Sequence, residues 1–419
     1  MTTNNTWQTS APWQPPAFPS LHGRSQHAQV IETALGLSAG LRPDLLAASL
    51  PVAVRERVMN DASSGLYRGF GLHALMDAVI HAAGRTHTGS RKSPEFVREA
   101  HEANRQLQAS HGATTLSLSG ILGNAAQKAL IQSYQAQATT WREIAAVPSH
   151  SDFKPTTRYR LDVTGAFRKV GPDGELKHVG LSEDGYSSQL DTFGATVSLT
   201  RQMQINDDLG AFTEIPTGLG RMSAVRIEEA VYVTLLSNPG NFFHADKGNL
   251  LTGGDSALSE ASLTAAETAF SNRVDRNGKP IFVSPNRLLV GTALGVTATR
   301  LYTDTTLIAI GMGNAPATVT SQNPHEKKFK PVVTPYLNNT LIRDQDGVAL
   351  SGQSATQWYL FADPAVLAAV AVAFLNGQEV PTIQSTDTEF TTLGMQWRAF
   401  HDFTVGMEDT AAATKSAGA

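Results

Sequence analysis

Residues 216–237 read PTGLGRMSAVRIEEAVYVTLLS, and this stretch predicts the longest helix of the chain. Pro216 suits the first turn of a helix, where its missing N–H needs no partner, and Asn238-Pro239-Gly240 ends the segment abruptly. Most of one face is apolar, formed by Leu219, Met222, Val225, Tyr232, Val233 and Leu236. We expect Met222, Val225 and Leu236 to be buried against a sheet of the same chain.

A long β-hairpin is predicted directly before this helix. Two runs alternate apolar and polar residues with the period of a strand: Tyr159, Leu161 and Val163 in the first, and Ala195, Val197 and Leu199 in the second. Between them, Gly171-Pro172-Asp173-Gly174 suits a tight turn. The pattern predicts a two-stranded excursion over residues 153–204.

Short helices separated by glycine or proline are predicted nearer the N-terminus, over residues 28–37, 50–60, 72–83 and 94–109. Ser93 precedes Pro94 and can cap the last of them. The third places an apolar stripe on one face, formed by Leu72, Leu75, Met76, Val79 and Ile80. Residues 1–20 are polar and contain four prolines, which predicts a flexible arm.

Beyond the long helix the pattern mixes helices and strands. Helices are predicted at residues 263–272 and 293–302, and strands at 281–283, 288–290, 358–361, 370–374 and 395–405, with a glycine-rich loop at 251–255 and a polar loop up to Lys330. The apolar run 364–375 is shorter than the ~20 residues that span a bilayer, so we expect it to be buried. The mixture predicts the α+β class.

Length and composition restrict the class of protein. The chain has 419 residues, which exceeds the ~250–300 residues at which one core stops growing, so we expect more than one compact unit. It contains no cysteine, which excludes disulfides and suits a reducing cytoplasm. The N-terminus lacks the pattern of a secretory signal. The net charge of −4 comes without a basic block, so any contact with DNA should be weak and non-specific.

One glycine-rich stretch matches a relaxed dinucleotide-binding fingerprint, in which glycines let a pyrophosphate approach a helix N-terminus. It runs over residues 69–74, Gly69-Phe70-Gly71-Leu72-His73-Ala74. The preceding residues 61–68 are polar rather than a buried strand, and no strand–helix–strand unit surrounds them. A glycine bend before an amphipathic helix is the favoured interpretation.

Histidines and acids could form acid–base pairs at two places, His244 with Asp246 and His401 with Asp402. Such neighbours usually satisfy local hydrogen bonds, and adjacent strand residues point to opposite faces. None of the 12 histidines has the spacing of a zinc site. The sequence therefore predicts no metal site.

Other candidate catalytic residues are equally scattered. Asp207 and Asp208 with Glu214 could act as paired carboxylates, but consecutive acids more often cap a turn. Ser119 before Gly120, and Ser256 after Gly254-Asp255, lack the strand–turn–helix frame of a nucleophile elbow. We expect no catalytic residue and no cofactor site.

Longer segments carry a family resemblance. They are residues 114–130 (TTLSLSGILGNAAQKAL), 139–161 (TTWREIAAVPSHSDFKPTTRYRL), 201–212 (RQMQINDDLGAF), 242–270 (FFHADKGNLLTGGDSALSEASLTAAETAF), 323–337 (NPHEKKFKPVVTPYL), 372–382 (VAFLNGQEVPT) and 397–419. These phrases resemble the Mu-like major head subunit family of tailed bacteriophages, especially the capsid half of proteins that fuse a prohead protease to the major capsid protein.

The resemblance implies the Hong Kong 97-like fold, with an N-terminal arm, an extended β-hairpin loop, a peripheral domain with a long spine helix, and an axial domain. The implied domains are residues 1–112 (arm and helical segment), 113–152 (start of the peripheral domain), 153–204 (hairpin loop), 205–255 (peripheral domain with spine helix), 256–363 (axial domain) and 364–419 (return strands). No protease half precedes Thr114, so residues 26–110 are either a scaffold-like segment or an enlarged arm.

The resemblance also implies a function without catalysis. The chain would self-assemble into pentamers and hexamers of an icosahedral shell that encloses double-stranded DNA. It would be part of the virion after assembly in the bacterial cytoplasm, with portal and possible scaffold, prohead protease or decoration proteins as partners and no membrane. Two alternatives stay open: the shell of an encapsulin-type nanocompartment, and a cytosolic hydrolase.

Overall fold

The computed structural model describes residues 26–67, 69–111, 118–164, 180–199, 202, 205–206, 209–274, 278–310, 318–386 and 395–419. These residues form two compact units. Unit 1 contains the described parts of 1–137, 193–223 and 378–401, and unit 2 those of 138–192, 224–377 and 402–419. Helices and strands occur in both, which confirms the predicted α+β class.

Unit 1 begins with a series of helices: α1 (Gln26–Ser38), α2 (Pro43–Ala48), α3 (Arg55–Ala62), α4 (Leu72–Ala82), α5 (Pro94–His111) and α6 (Leu118–Ala136). The predictions for α1, α4 and α5 are confirmed. Ser93 caps α5 as predicted, because its Oγ accepts a hydrogen bond of 3.2 Å from the backbone N–H of Phe96. α3 begins at Arg55 rather than residue 50, after a turn closed by the Val54 N–H on the Pro51 carbonyl.

The core of unit 1 joins these helices to a small set of strands. The predicted stripe of α4 is buried in full, and Leu75, Met76, Val79 and Ile80 have no exposed area. The same cluster contains Trp397, which contacts the Phe212 ring at a centroid distance of 5.3 Å. The strands are β5 (Asp191–Leu199), β13 (Thr382–Thr386) and β14 (Met395–Met407), and β14 pairs with both of the others.

The long predicted helix is α7 (Leu209–Ser237), and it differs from the prediction in two ways. It begins seven residues before Pro216, which lies inside the helix. Phe212 in this extra segment is fully buried, and burying an aromatic ring offsets the helix-breaking cost of proline.

The predicted buried face of α7 is wrong at two of its three residues. Leu236 is buried, whereas the side chains of Met222 and Val225 are 61% and 38% exposed. In unit 2 the helix instead buries Ile227, Val231 and Leu235, which recur at four-residue spacing.

Unit 2 contains two sheets. In the first, β1 (Ala145–Ala146) and β2 (Ser149–His150) run parallel to β12 (Val370–Leu375), which pairs antiparallel with residues 403–407 of β14. The second has the order β10-β7-β11-β15-β6. Its strands are β6 (Leu250–Leu251), β7 (Pro285–Gly291), β10 (Lys330–Thr334), β11 (Trp358–Ala362) and β15 (Ala413–Ser416). The predicted strands at 288–290, 358–361 and 370–374 are confirmed.

The helices of unit 2 are α8 (Glu260–Ser271) and α9 (Gly295–Thr303), together with the second part of α7. α8 begins before the predicted residue 263 because Ser259 caps it: the Ser259 Oγ accepts a hydrogen bond of 3.2 Å from the Ser262 N–H. The predicted strand at 281–283 is wrong, since these residues form a loop. The predicted polar loop before Lys330 contains a ribbon of β8 (Thr306–Ile310) and β9 (Thr318–Gln322).

The hairpin exists, but its return strand was wrongly predicted. β3 (Thr156–Thr164) pairs antiparallel with β4 (Gly180–Ser188) over nine residue pairs, from Thr156 with Ser188 to Thr164 with Gly180. β5, which carries the second alternating run, joins β14 instead. The predicted turn at 171–174 lies outside the described residues.

Candidate functional site

The dinucleotide-like glycines form a bend before α4. Gly69 has a φ of 72°, which favours glycine, and Gly71 is the residue before the first turn of the helix. The side chains of Leu72 and His73 that follow are buried. The stretch therefore turns the chain into a core helix.

The two histidine–aspartate neighbours have separate local roles. His244 is exposed, and its Nδ1 accepts a hydrogen bond of 3.3 Å from the Asp246 N–H, which caps a short turn. His401 Nδ1 lies 2.9 Å from the Ser223 Oγ in unit 1, whereas Asp402 Oδ1 accepts a hydrogen bond of 2.6 Å from Thr192 in unit 2. His244 Nδ1 also lies 3.3 Å from Asp246 Oδ2, with both side chains facing solvent, whereas His401 and Asp402 have different partners.

The other candidates are also dispersed. Asp207 and Asp208 lie outside the described residues, and Glu214 is exposed at the edge of an open cavity of about 310 Å³ in unit 1. Ser119 lies in the first turn of α6. Ser256 is buried, and its Oγ donates a hydrogen bond of 2.7 Å to the Gly253 carbonyl. In the described parts of the chain, no three histidine or acidic side chains come close enough to hold a metal ion.

The base of the β3–β4 hairpin is the first candidate contact feature. Arg158 on β3 forms an ion pair with Glu408, which follows β14, and Ser188 on β4 lies 3.2 Å from His150 Nε2 on β2. Burial raises the pKa of Glu408 despite the neighbouring Arg158, and burial, with the Arg158 charge, lowers the pKa of His150. These contacts hold the open end of the hairpin to the sheet of unit 2.

The rest of the hairpin has no further strand partner. Within the described chain, β3 and β4 form a two-stranded sheet of their own. An isolated two-stranded ribbon is marginally stable in water and needs a surface that covers one face. Such a ribbon is suited to contact another chain.

A loop between α8 and β7 is the second candidate. Val274 and Pro280 form an isolated bridge, and the Ile281 N–H donates to the Arg273 carbonyl at 3.1 Å, which closes the loop. Phe282 beyond it is 87% exposed and has a φ of 55°, a conformation that bulky residues avoid.

Arg273 fixes the base of this loop. Its guanidinium is buried, donates to the Ala413 carbonyl at 2.9 Å and to Thr414 Oγ1 at 2.5 Å, and lies 3.9 Å from the centroid of the Phe270 ring. Arg273 is therefore firmly anchored, and its carbonyl holds Ile281, the residue before Phe282. The strand predicted at residues 281–283 gives no indication that Phe282 is an exposed loop residue.

Among the described helices, none is both long and apolar enough to cross a bilayer. The two candidate contact features are the β3–β4 ribbon and the loop that carries the exposed Phe282. Both can make contacts between protein surfaces.

Comparison with known proteins points to a phage shell. A sequence profile of the phage capsid protein family matches residues 185–416, which is more than half of the chain. Among curated proteins, none matches the sequence.

Solved structures with a similar fold include the capsid of cyanophage P-SCSP1u, at 13% identity and a TM-score of 0.43, covering 67% of this chain and 88% of that one. The head of Helicobacter pylori bacteriophage KHP40 is similar at 11% identity and a TM-score of 0.43, with coverage of 66% and 89%. The holo-SrpI encapsulin complex from Synechococcus elongatus PCC 7942 is similar at 10% identity and a TM-score of 0.41, with coverage of 67% and 88%.

The structural likenesses are distant, and the assignment rests on the profile. It spans β5, α7, the second sheet of unit 2 and the strands β12 and β14 of the first, and it confirms the phage capsid resemblance read from the sequence, while the Mu-like subfamily stays a prediction. The chain therefore belongs to the phage capsid protein family.

Proposed function

We propose that this phage capsid protein is the major head subunit of a tailed bacteriophage. Copies of the chain assemble into pentamers and hexamers of an icosahedral shell that encloses double-stranded DNA. The shell is built in the bacterial cytoplasm and becomes part of the virion. A portal, and scaffold, prohead protease or decoration proteins, are the further partners that this function implies, and no catalysis is involved.

The observation that carries the proposal is the β3–β4 hairpin. Its nine residue pairs leave both edges of the ribbon without a third strand in the described chain, and its open end contacts the neighbouring sheet through Arg158 and Ser188. A ribbon of this kind gains stability when a neighbouring surface covers it. In a shell, that surface belongs to the next copy of the chain.

The Hong Kong 97-like arrangement supplies a consistent place for each element. The hairpin corresponds to the extended loop and α7 to the spine helix, which comes after the hairpin and β5 in the chain. Residues 256–363 would form the axial domain and residues 364–419 the return strands. These correspondences, including the domain limits, belong to the proposal.

The test is assembly of the purified full chain. Light scattering and electron microscopy across protein and salt concentrations should show capsomers or closed shells. A particle near the 44.7 kDa of one chain under every condition would contradict the proposal.

The contents of the shells separate the phage head from a nanocompartment. Particles purified from the infected or natural host should contain double-stranded DNA. A single cargo enzyme in place of DNA would favour the encapsulin-type alternative. Hydrolysis of simple ester, peptide or phosphate substrates that persists after repeated purification would favour the hydrolase.

A further inference from the structure

The helices that precede α6 share a core with the rest of unit 1. Leu122, Ala126 and Leu130 on α6 have no exposed area. They belong to one apolar cluster with residues of α1, α4 and α5, and with Ile383 of β13 and Trp397 of β14. The cluster is thus formed jointly by residues 26–111 and by segments far later in the chain.

A buried ion pair fixes α1 on α6. Lys128 Nζ and Glu32 Oε1 are 2.7 Å apart, and the two side chains are 6% and 3% exposed. The other carboxylate oxygen of Glu32 accepts a hydrogen bond of 2.9 Å from Asn124 Nδ2. Separating a buried carboxylate from its partners is strongly destabilising, so these contacts of both Glu32 oxygens stabilise α1 in its position on α6.

Further polar contacts tie α5 and β13 to the same helix. Asn104 on α5 is fully buried, and its Oδ1 accepts a hydrogen bond of 2.8 Å from the Leu118 N–H at the start of α6. Gln127 on α6 donates to the Pro381 carbonyl at 2.9 Å and accepts from the Ile383 N–H at 2.7 Å. α6 therefore connects the N-terminal helices to the strands of unit 1.

A removable scaffold would need a core of its own and a separable contact with the shell domain. Here, loss of residues 26–111 would expose the apolar side chains of α6 and would remove the partner of Lys128. Large exposed apolar patches are rare on stable protein surfaces.

We propose that the helices of residues 26–111 are a permanent part of the shell subunit and stay in the mature particle. This inference rests on the proposed function. Of the two interpretations of residues 26–110, a scaffold-like segment or an enlarged arm, it favours the arm as an integral part of the subunit. A maturation protease, where one acts, leaves these helices in place.

Mass spectrometry of the coat protein from purified heads is the direct test. Peptides from α1, α4 and α5 should be present in the same molar amount as peptides from α7. Mature heads whose coat protein lacks residues 26–111 would overturn the proposal.

Hydrogen exchange on the free full-length chain provides a test that needs no shell. Leu75→Ala in α4 removes a fully buried side chain, whereas Leu66→Ala removes one that is 85% exposed. If the core is shared, Leu75→Ala should raise the exchange rates of the amides in α6 and β13 at least about thirtyfold, and Leu66→Ala should leave them unchanged. Unchanged exchange of α6 and β13 in Leu75→Ala would overturn the shared core.

A third measurement does not depend on whether Leu75→Ala folds. A site-specific protease sequence inserted between Thr88 and Gly89, in the exposed loop from α4 to α5, allows the chain to be cut after folding. The two fragments should stay together in size-exclusion chromatography without denaturant. Release of the first fragment from a chain that remains folded would overturn the proposal, whether or not shells form.

Discussion

Phe282 shows how a single residue can carry contact with a neighbour. Of the five described non-glycine residues with positive φ, three are asparagine and one is lysine, and Phe282 is the fifth. Asparagine tolerates this conformation, whereas a bulky side chain is strained in it by ~1–3 kcal/mol. Strain combined with 87% exposure suggests that the ring is held in place for a contact outside its own chain.

Phe282→Asn tests this interpretation. The free energy of unfolding of the free chain should stay equal or rise by up to ~1 kcal/mol, because asparagine relieves the strain and little buried area is lost. Assembly measured by light scattering should require a higher protein concentration. Val366→Asn, at a site that is 74% exposed, is the matched control and should assemble normally. Equal assembly of both variants would show that Phe282 makes no contact.

The buried face of α7 can be tested with two neighbouring substitutions. Val225 is 38% exposed, and Ile227 has no exposed area. Val225→Asp should cost under ~1 kcal/mol of unfolding free energy, since the new charge reaches water. Ile227→Asp should cost several kcal/mol of unfolding free energy, because it buries an unpaired charge. Denaturant titrations measure both costs. A larger loss of unfolding free energy in Val225→Asp than in Ile227→Asp would show that the buried face is the one predicted from the sequence.

Glu408 provides a pH-dependence with a defined sign. Burial raises the pKa of its carboxyl above the usual 4.5, so the folded chain binds this proton more tightly than the unfolded chain. The corresponding stability is complete below about pH 4.5 and is lost as the pH rises through the raised value. The side chain of glutamine is uncharged at every pH. In Glu408→Gln, the free energy of unfolding should therefore fall less than in the unchanged chain as the pH rises above about 4.5. Parallel curves for the two proteins would rule out Glu408 as the source.

At the scale of elements, the hairpin is the clearest object for a deletion. Replacing residues 160–184 by Asn-Gly keeps the pairs Thr156–Ser188 to Tyr159–Gly185 and the ion pair of Arg158 with Glu408. Asn-Gly suits the two-residue turn that such a ribbon needs. The shortened chain should melt cooperatively with a normal circular dichroism spectrum, while shells fail or become fragile.

A milder deletion is the control for the hairpin. Replacing only residues 165–179 by Asn-Gly keeps all nine residue pairs of β3 and β4. This variant should fold like the full chain. Comparing the two deletions distinguishes the effect of the paired strands on assembly from the effect of the segment that connects them. Normal shells from the variant that lacks residues 160–184, or unfolding of that chain, would show that the hairpin serves its own subunit.

The hairpin also shows what a strand pattern can and cannot predict. β3 was found through its alternation, but β4 has the sequence GLSEDGYSS and almost no apolar face. β5 does alternate, because Ala195 and Val197 pack against the core of unit 1. Alternation reports burial of one face and not the identity of the pairing strand, so the return strand was assigned to the wrong run.

The helix predictions agree with the structure where the helix boundaries depend on residues close by in the sequence. The cap at Ser93 and the stripe of α4 depend on neighbours within a few residues, and both were predictable. The start of α7 depends on the burial of Phe212 beside Trp397, which is 185 positions away in the sequence, and local rules for proline could not anticipate it. Apolar residues on two faces of α7 left the choice of the buried face to tertiary packing.

For the whole molecule, the candidate site is a set of contact surfaces rather than a cleft. Among the described candidates, Ser256 and His244 make local hydrogen bonds, His401 and Asp402 bond to different partners, and Glu214 is exposed. Subunits of a closed shell contact one another through different patches of the same surface, and such patches carry no short motif. The family could therefore be recognised from long phrases of sequence, while Phe282 and the Arg158–Glu408 pair became visible only in three dimensions.

The charge of the whole molecule leads to a prediction about DNA. With 33 basic and 37 acidic residues the net charge is −4, so attraction to phosphates depends on local basic residues alone. Binding of the purified chain to duplex DNA should be no tighter than the ~10⁻⁴–10⁻⁶ M of non-specific complexes and should weaken steeply as salt rises, since it depends on counterion release. Fluorescence anisotropy with two duplexes of unrelated sequence and equal length should give equal affinities at each salt concentration. A footprint on one sequence that persists at high salt would mean that the chain reads bases, for which no basic stripe is visible in the sequence.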